Sequence, residues 1–244
     1  MSVSDCAVVI PVFNHERRVA DVIRRALSLD MPVFVVDDGS NDKTPEIIEA
    51  VPGITVLRHG ENLGKGAALL TGFRAAAKSR KWAVSIDADG QHNPADALNL
   101  IKAVPAGQRC IMVGKREGMT GKHVPWTSRF GRGFSNFWVW ISGGPCLDDS
   151  QSGFRLYPIP EVLNLGVKAR RFQFEVEVIV LARQNNIPVF EVPVRVVYQE
   201  GAERVSHFRP FIDFLRNSET FSRLIFRRVF SHSHFCRTSK RPKI

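Results

Sequence analysis

Trp82-Ala83-Val84-Ser85-Ile86-Asp87-Ala88-Asp89-Gly90-Gln91-His92 opens as an apolar run and ends in two carboxylates one residue apart. The run reads as a buried strand. In an open parallel sheet, ligands collect just beyond the carboxyl ends of the strands, where the chain leaves the core and side chains converge. Two carboxylates at such an end suit a divalent cation. Because Mg²⁺ keeps several waters and is usually held by one or two carboxylates plus substrate phosphates, the pattern points to a metal-bridged phosphorylated ligand. The plainer alternative is that Asp87 and Asp89 are loop residues capping a helix that starts near Pro94.

Working outward, Ala7 to Phe13 is predicted as a first buried strand, with Asn14 capping a helix through Leu29. Val33 to Val36 and Ile54 to Leu57 are further strands, each followed by a helix: one entered through Asn41 to Pro45, the other Ala-rich and running to about Arg80. Strands alternating with helices over the first 105 residues argue βαβ units. The predicted fold is therefore α/β, with a mostly parallel sheet flanked by helices. A single domain is expected over residues 1–200, and a basic loop, amphipathic helix and tail over 201–244.

Three strand ends in this half are polar: Pro11 to Asn14, Asp37-Asp38, and Asp87 to Gln91. In a doubly wound sheet they share one edge and face one cleft. Carboxylates accept from ribose hydroxyls and base N–H groups, and Lys65 at a helix start suits phosphate. That describes a nucleotide site without the glycine fingerprints of dinucleotide or P-loop folds. Asp38 taken alone is equally a turn residue before Gly39, and Lys65 a solvated first-turn lysine.

Among 244 residues, 44% are hydrophobic, enough for a large core. The longest apolar runs fall short of a membrane span, and Met1 to Asp5 lacks the basic flank of a signal peptide, so a cytoplasmic protein is expected. Cys6, Cys110, Cys146 and Cys236 are scattered, which indicates neither disulfides nor a zinc site. The net charge is +10, and Arg204 to Ile244 supplies +8 of it. The positive charge is not interleaved with any nucleic-acid-reading motif, which argues against such a partner, and nothing signals an oligomer.

Val-Ile-Pro-Val-Phe-Asn at 9–14, Val-Asp-Asp-Gly-Ser at 36–40, Asn-Leu-Gly-Lys-Gly at 62–66, Asp-Ala-Asp-Gly-Gln at 87–91 and Ser-Gly-Phe-Arg at 152–155 resemble the family-2 glycosyltransferases of GT-A (Rossmann-like) fold. Within that family the chain is most similar to the dolichyl- and polyprenyl-phosphate sugar synthases. The resemblance implies an inverting, metal-dependent hexosyltransferase using a nucleotide-diphosphate sugar and Mg²⁺ or Mn²⁺. It implies donor-binding roles for Pro11, Phe13, Asp38, Lys65, Asp87 and Asp89. Asp89 and Gln91 would bind the metal that bridges the two phosphates, with Asp89 catalytic in that sense. On the acceptor side, Arg116 and Arg129, with Arg132 nearby, look like the arginines that hold a lipid phosphate, and Arg forks suit phosphate oxygens. Asp149 is the candidate base for a hydroxyl acceptor, such as a glycolipid or polysaccharide precursor; a phosphate acceptor needs none. Glu175 would order the site from behind.

Where those synthases carry an Arg-x-x-Gly-x-Ser-Lys loop over the donor phosphates, this chain matches loosely, with Arg204, Ser206 and His207. Two readings of other classes compete: a basic membrane-binding protein of the same fold without turnover, and a sugar nucleotidyltransferase. The second would carry a Gly-rich phosphate loop after the first strand, which Pro11 to Asn14 does not supply. Finally, Arg209 to Phe230 reads as an amphipathic helix. Phe211, Phe214, Leu215, Phe221, Ile225, Phe226 and Val229 gather opposite Arg209, Arg216, Arg223 and Arg227, and Lys240, Arg241 and Lys243 follow. That pattern suits an anionic membrane surface and predicts peripheral association with the inner face of the cytoplasmic membrane. The competing reading packs this helix on the core.

Overall fold

Cys6–Val12 forms β1, and every one of its residues is buried. Its alternation assigns the two layers of the molecule: Ala7 and Val9 pack into one apolar cluster, and Cys6, Val8, Ile10 and Val12 into another on the opposite face. A strand covered on both faces has no polar side to show, which is why β1 reads as an unbroken apolar run. The computed structural model describes residues 1–117, 126–196 and 218–228, and within 126–132 only the backbone. The expected phosphate-covering loop from Arg204 to Arg209 and the tail with Lys240, Arg241 and Lys243 lie outside the described residues.

The remaining strands are β2 (Val33–Asp37), β3 (Ile54–Arg58), β4 (Trp82–Ser85), β5 (Ile111–Glu117), β6 (Arg155–Pro158) and β7 (Val189–Arg195). They form one sheet in the order β3-β2-β1-β4-β6-β5-β7. All pair in parallel except β6, which runs antiparallel to both β4 and β5. The helices are α1 (Val19–Leu27), α2 (Thr44–Glu49), α3 (Lys65–Ala76), α4 (Ala97–Lys102), α5 (Trp126–Ile141), α6 (Ile159–Leu163), α7 (Gln173–Gln184) and α8 (218–228). The chain winds from β1 outward to β3, then α3 carries it back across the sheet to β4. Strand order reverses between β1 and β4, so their carboxyl ends flank the crevice where such sheets bind ligands.

Sequence reading missed β6, whose four residues are too short to show a period. The strand has a large consequence. Running backwards, it brings its amino end, Arg155, level with Ser85 and Val113. The loop 149–154 thereby reaches the same sheet edge as the carboxyl ends of the parallel strands.

Two local expectations shift. α1 begins at Val19, not after Asn14, because Asn14 adopts φ 55° and spends its Oδ1 accepting from Asn41 N at 2.9 Å. The predicted apolar side of the C-terminal helix divides: in α8, Phe221 and Leu224 are buried in the core while Phe226 is 63% exposed. Phe221 stacks on Trp138 at 5.8 Å between centroids, and Arg223 pairs with Glu177 at 2.7 Å. Those contacts turn Phe221 inward, as the core-helix reading required. Phe211, Phe214, Leu215 and Val229 lie outside the described residues.

Candidate functional site

Asp87 leaves the end of β4 and meets Lys65, the first residue of α3, at 2.7 Å. The Lys65 ammonium also reaches Glu175 at 2.5 Å, on the first turn of α7. Burial disfavours the ammonium, yet the Asp87 and Glu175 carboxylates outweigh it and raise its pKa above the usual lysine value. Burial likewise opposes the Asp87 charge, but Lys65 holds its carboxyl below the usual range. Lys65 thus orders Asp87 rather than reaching for phosphate in this arrangement, and Glu175 supports both from behind. Gly153 makes the cluster possible: a Cβ there would lie 2.5 Å from both Asp87 Oδ2 and Lys65 Nζ.

Asp89 has no such partner cation within reach of a salt bridge among the described residues. Burial, and then the neighbouring Asp87 charge, push its carboxyl up to about 6. Its Oδ1 accepts from Gln91 N at 2.9 Å, which tightens the loop after β4. The two aspartates, Glu175 and the single Lys65 leave a net negative rim. Among the described residues no three His, Cys, Asp or Glu groups gather as a metal cage. A cation completed by substrate phosphates and water needs only one or two carboxylates, so the residues present fit Mg²⁺ or Mn²⁺.

The second strand-end loop is stitched to the first. Asn14 N donates to Ser40 Oγ at 3.0 Å, and His15 N to Thr44 Oγ1 at 2.9 Å. Pro11 lies opposite Val36 in the β1–β2 register, and half-buried Phe13 follows at the strand end. Asp38, expected to accept from a base, accepts from Leu63 N at 3.0 Å and Gly64 N at 2.8 Å, and its Oδ1 lies 2.7 Å from His59 Nδ1. Much of its capacity goes to strapping the Asn62-Leu63-Gly64 turn against the strand end. Gly39 is required here, at φ 75°, since a Cβ would lie 2.6 Å from the Glu61 backbone.

On the acceptor side the structure joins two predicted residues to each other. Arg116, near the end of β5, forks onto Asp149 through Nε (2.8 Å) and Nη2 (2.9 Å), and its backbone N also donates to Asp149 Oδ2 (3.2 Å). Asp149 is fully buried. Its loop is clamped by Glu191 of β7, whose two carboxylate oxygens accept from Asp148 N and Asp149 N, each at 2.8 Å. Arg129 and Arg132 lie on α5, with their side chains outside the described residues.

Sequence reasoning passed over three contributors. Glu191 looked like an ordinary strand residue. Arg155 was quoted in a motif without a role; its fully buried guanidinium donates to the carbonyls of Ser152 (2.6 Å), Ser150 (2.8 Å) and Glu175 (2.6 Å), shaping the loop that carries Asp149 and Gly153. His92 stacks on Phe154 with centroids 5.0 Å apart and bridges to Val196, and burial lowers its pKa to about 4.

An uncharacterized protein of Methanocaldococcus jannaschii is 34% identical over 79% of this chain and 82% of its own. The UDP-N-acetylglucosamine–dolichyl-phosphate N-acetylglucosaminyltransferase of Methanococcus voltae is 28% identical over 79% and 86%. The polyprenol monophosphomannose synthase of Mycolicibacterium smegmatis is 29% identical over 82% and 80%. Among solved structures, a nucleotidyl transferase from Methanothermobacter thermautotroptrophicus superposes with a TM-score of 0.51 at 14% identity, covering 89% of this chain and 98% of that one. At that identity the likeness speaks for the shared fold alone. Residues 7–158 match the profile described as glycosyl transferase family 2. With strand-end carboxylates, reversed β6 and buried Ser-Gly-Phe-Arg loop all inside or bordering that span, the chain belongs to glycosyl transferase family 2.

Proposed function

We propose that the protein transfers a sugar, with inversion, from a nucleotide-diphosphate sugar to a polyprenyl or dolichyl phosphate. The observation that carries this reading is the fork between Arg116 and Asp149. A base for a hydroxyl acceptor needs an oxygen open to the incoming O–H, yet the Asp149 carboxylate is buried and both its oxygens accept from Arg116. A phosphate oxygen is anionic at neutral pH and attacks without losing a proton. Its new bond forms at the sugar's anomeric carbon as the bond to the nucleotide diphosphate breaks, and the electron pair leaves with the diphosphate. Asp149 then serves as a positioning residue. It holds the Arg116 guanidinium in a fixed fork, the charge geometry that suits an acceptor phosphate, and Arg129 and Arg132 are carried on α5. Two relatives named for dolichyl-phosphate and polyprenol-phosphate transfer support the same acceptor class.

On the donor side, Pro11 and Phe13 would flank the base, Asp38 would fix the Asn62–Gly64 turn beside it, and Asp87 would approach the ribose. Asp89 and Gln91 would hold Mg²⁺ or Mn²⁺, which when bound stabilises charge developing on the leaving diphosphate. The chain's own part is to keep Asp87 ionised through Lys65 and to exclude water behind Glu175. Among the described residues no helix is long and apolar enough to cross a membrane. With a lipid-linked acceptor, the enzyme works from the inner membrane face as a peripheral protein.

A panel of nucleotide sugars offered with polyprenyl phosphate, and separately with hydroxyl acceptors, tests the reading. Arg116→Ala and Arg129→Ala should each cost more turnover than Asp149→Asn, which should mainly raise the acceptor KM. Asp149→Asn abolishing transfer while Arg116→Ala leaves it intact would identify a hydroxyl acceptor instead.

A further inference from the structure

α8 packs Phe221 and Leu224 into the core and presents its other side outward, beside α7. Between the two helices lies a cleft of about 230 Å³ whose lining includes Lys168, Glu177, Leu181, Arg223, Leu224 and Arg227. That is room for roughly seven waters, ample for a phosphate group. The one carboxylate among these residues is already satisfied. Glu177 Oε1 accepts from Arg223 Nη2 at 2.7 Å, and Oε2 from Lys168 N at 3.1 Å and Ala169 N at 2.6 Å. Among the described residues neither the Lys168 ammonium nor the Arg227 guanidinium has an ion-pair partner. Among the described residues, the cleft therefore carries more positive than negative charge, with Leu181 and Leu224 in its lining.

Its rim is apolar and exposed. Phe226 lines the cleft and is 63% exposed. Arg228 donates to the Ile141 carbonyl at 2.7 Å, which joins the end of α8 to the end of α5, where Trp140 is 58% exposed. Exposed aromatic rings among arginines are the composition of a surface that enters the headgroup layer of a bilayer. Glu219, two turns before Phe226 on the same side of α8, is an exposed acidic residue there.

We propose that the α7–α8 cleft seats the phosphate headgroup of an anionic phospholipid, with Phe226 entering the interfacial layer beside it. Lys168 and Arg227 take the phosphate from its two sides, and Arg223 stays with Glu177. This phospholipid is neither donor nor acceptor, so the seat is separate from the transfer chemistry; it holds the enzyme on the leaflet in which a lipid-phosphate acceptor resides. The face differs from a helix lying flat on its Phe221 side, because that side is occupied by the core.

Co-sedimentation of the full chain with phosphatidylcholine vesicles, with and without phosphatidylglycerol, tests this at low salt and without sugar donor. The parent should prefer the anionic vesicles. The double variant Lys168→Glu/Arg227→Glu should bind them about thirtyfold more weakly or worse, since each basic residue near an anionic leaflet contributes on the order of 1 kcal/mol. Lys168→Arg should bind as the parent does, and Phe226→Ser should weaken binding with little change in salt dependence. The double variant binding like the parent would overturn the proposal by assigning membrane affinity to other basic residues. Binding of inorganic phosphate by the parent in solution, lost in the double variant, together with no preference of the parent for anionic vesicles, would overturn it in favour of a soluble-anion site. Transfer to a short-chain polyprenyl phosphate in detergent should survive the double substitution. Its loss, with an unchanged melting temperature, would place these side chains in the transfer site instead.

Discussion

Asp89→Asn should stabilise the protein while abolishing transfer. Burial and the Asp87 charge push the Asp89 carboxyl to about 6, against an ordinary value of 3.8. A folded-state pKa above the unfolded one means the folded protein takes up a proton between those values. The associated stability is present below about pH 4, is lost as pH rises through about 6, and stays lost above. A gap of roughly two pKa units corresponds to a ceiling of about 3 kcal/mol. Asp89 is only half-buried at the rim, where solvent screens the field, so about 1–2 kcal/mol is the working figure. The amide removes the charge and keeps an Oδ1 acceptor for Gln91 N. Thermal melts without divalent cation should place Asp89→Asn above the parent by about 2–8 °C at pH 7.5, with the gap closing toward pH 4. Saturating Mg²⁺ or Mn²⁺ should raise the parent and leave the variant unmoved, because a cation relieves the same repulsion. A variant no more stable than the parent at pH 7.5, or a gap that stays constant with pH, would refute the reasoning. Unchanged transfer by the variant, or full activity of the parent in excess chelator, would refute the metal role.

Gly153→Ala should lower both stability and turnover, since its Cβ would lie 2.5 Å from Asp87 Oδ2 and Lys65 Nζ. Overpacking of this kind costs about 1–3 kcal/mol, and a melt together with a rate assay that both match the parent would contradict the cluster geometry. Burial raises the thiols of Cys6 to about 12 and Cys110 to about 11, while Cys146 is exposed. Among the three cysteines in the described residues, iodoacetamide at pH 8 should therefore label Cys146 first, and Cys6 and Cys110 only after unfolding, because the thiolate is the reacting form. Peptide mass spectrometry showing Cys6 labelled as fast as Cys146 would remove β1 from the sheet interior.

Much of the fold was legible because the parallel half of the sheet writes itself plainly. Doubly buried β1, β2 and β4 demand apolar runs, and the crossovers demand helices between them. The strand-end carboxylates were legible for the same reason: Asp87 and Asp89 stand where an apolar run stops. What escaped was long-range. β6 has four residues and no period, and its reversed direction is decided by pairing with β4 and β5, which no local pattern encodes. Glu191 lies 42 residues from the Asp149 backbone it clamps, and Lys65 lies 110 from Glu175. Side-chain polarity marks a residue as available for chemistry, and only the fold decides what it meets. Hence Lys65 and Asp38, both read from the sequence as donor-binding, also pair with neighbouring parts of the site, Lys65 with Asp87 and Glu175 and Asp38 with the Leu63-Gly64 backbone, contacts that no local pattern announces.

The two sides of the cleft hold their charges in opposite ways. On the donor side one lysine serves two carboxylates, and Asp89 is left over with a raised pKa, so the rim favours a cation. On the acceptor side the Asp149 carboxylate is matched by the Arg116 fork, while Arg129 and Arg132 follow on α5. A substrate pair that brings a cation-bridged diphosphate to one side and a bare phosphate to the other meets both demands. A hydroxyl acceptor would bring no charge to the arginines and would need the one carboxylate already committed to them. Bringing two phosphorylated substrates together is costly through their mutual repulsion, and this polarity offsets it within one cleft. The charge arrangement, more than any single residue, is why lipid phosphate is the acceptor that fits this site.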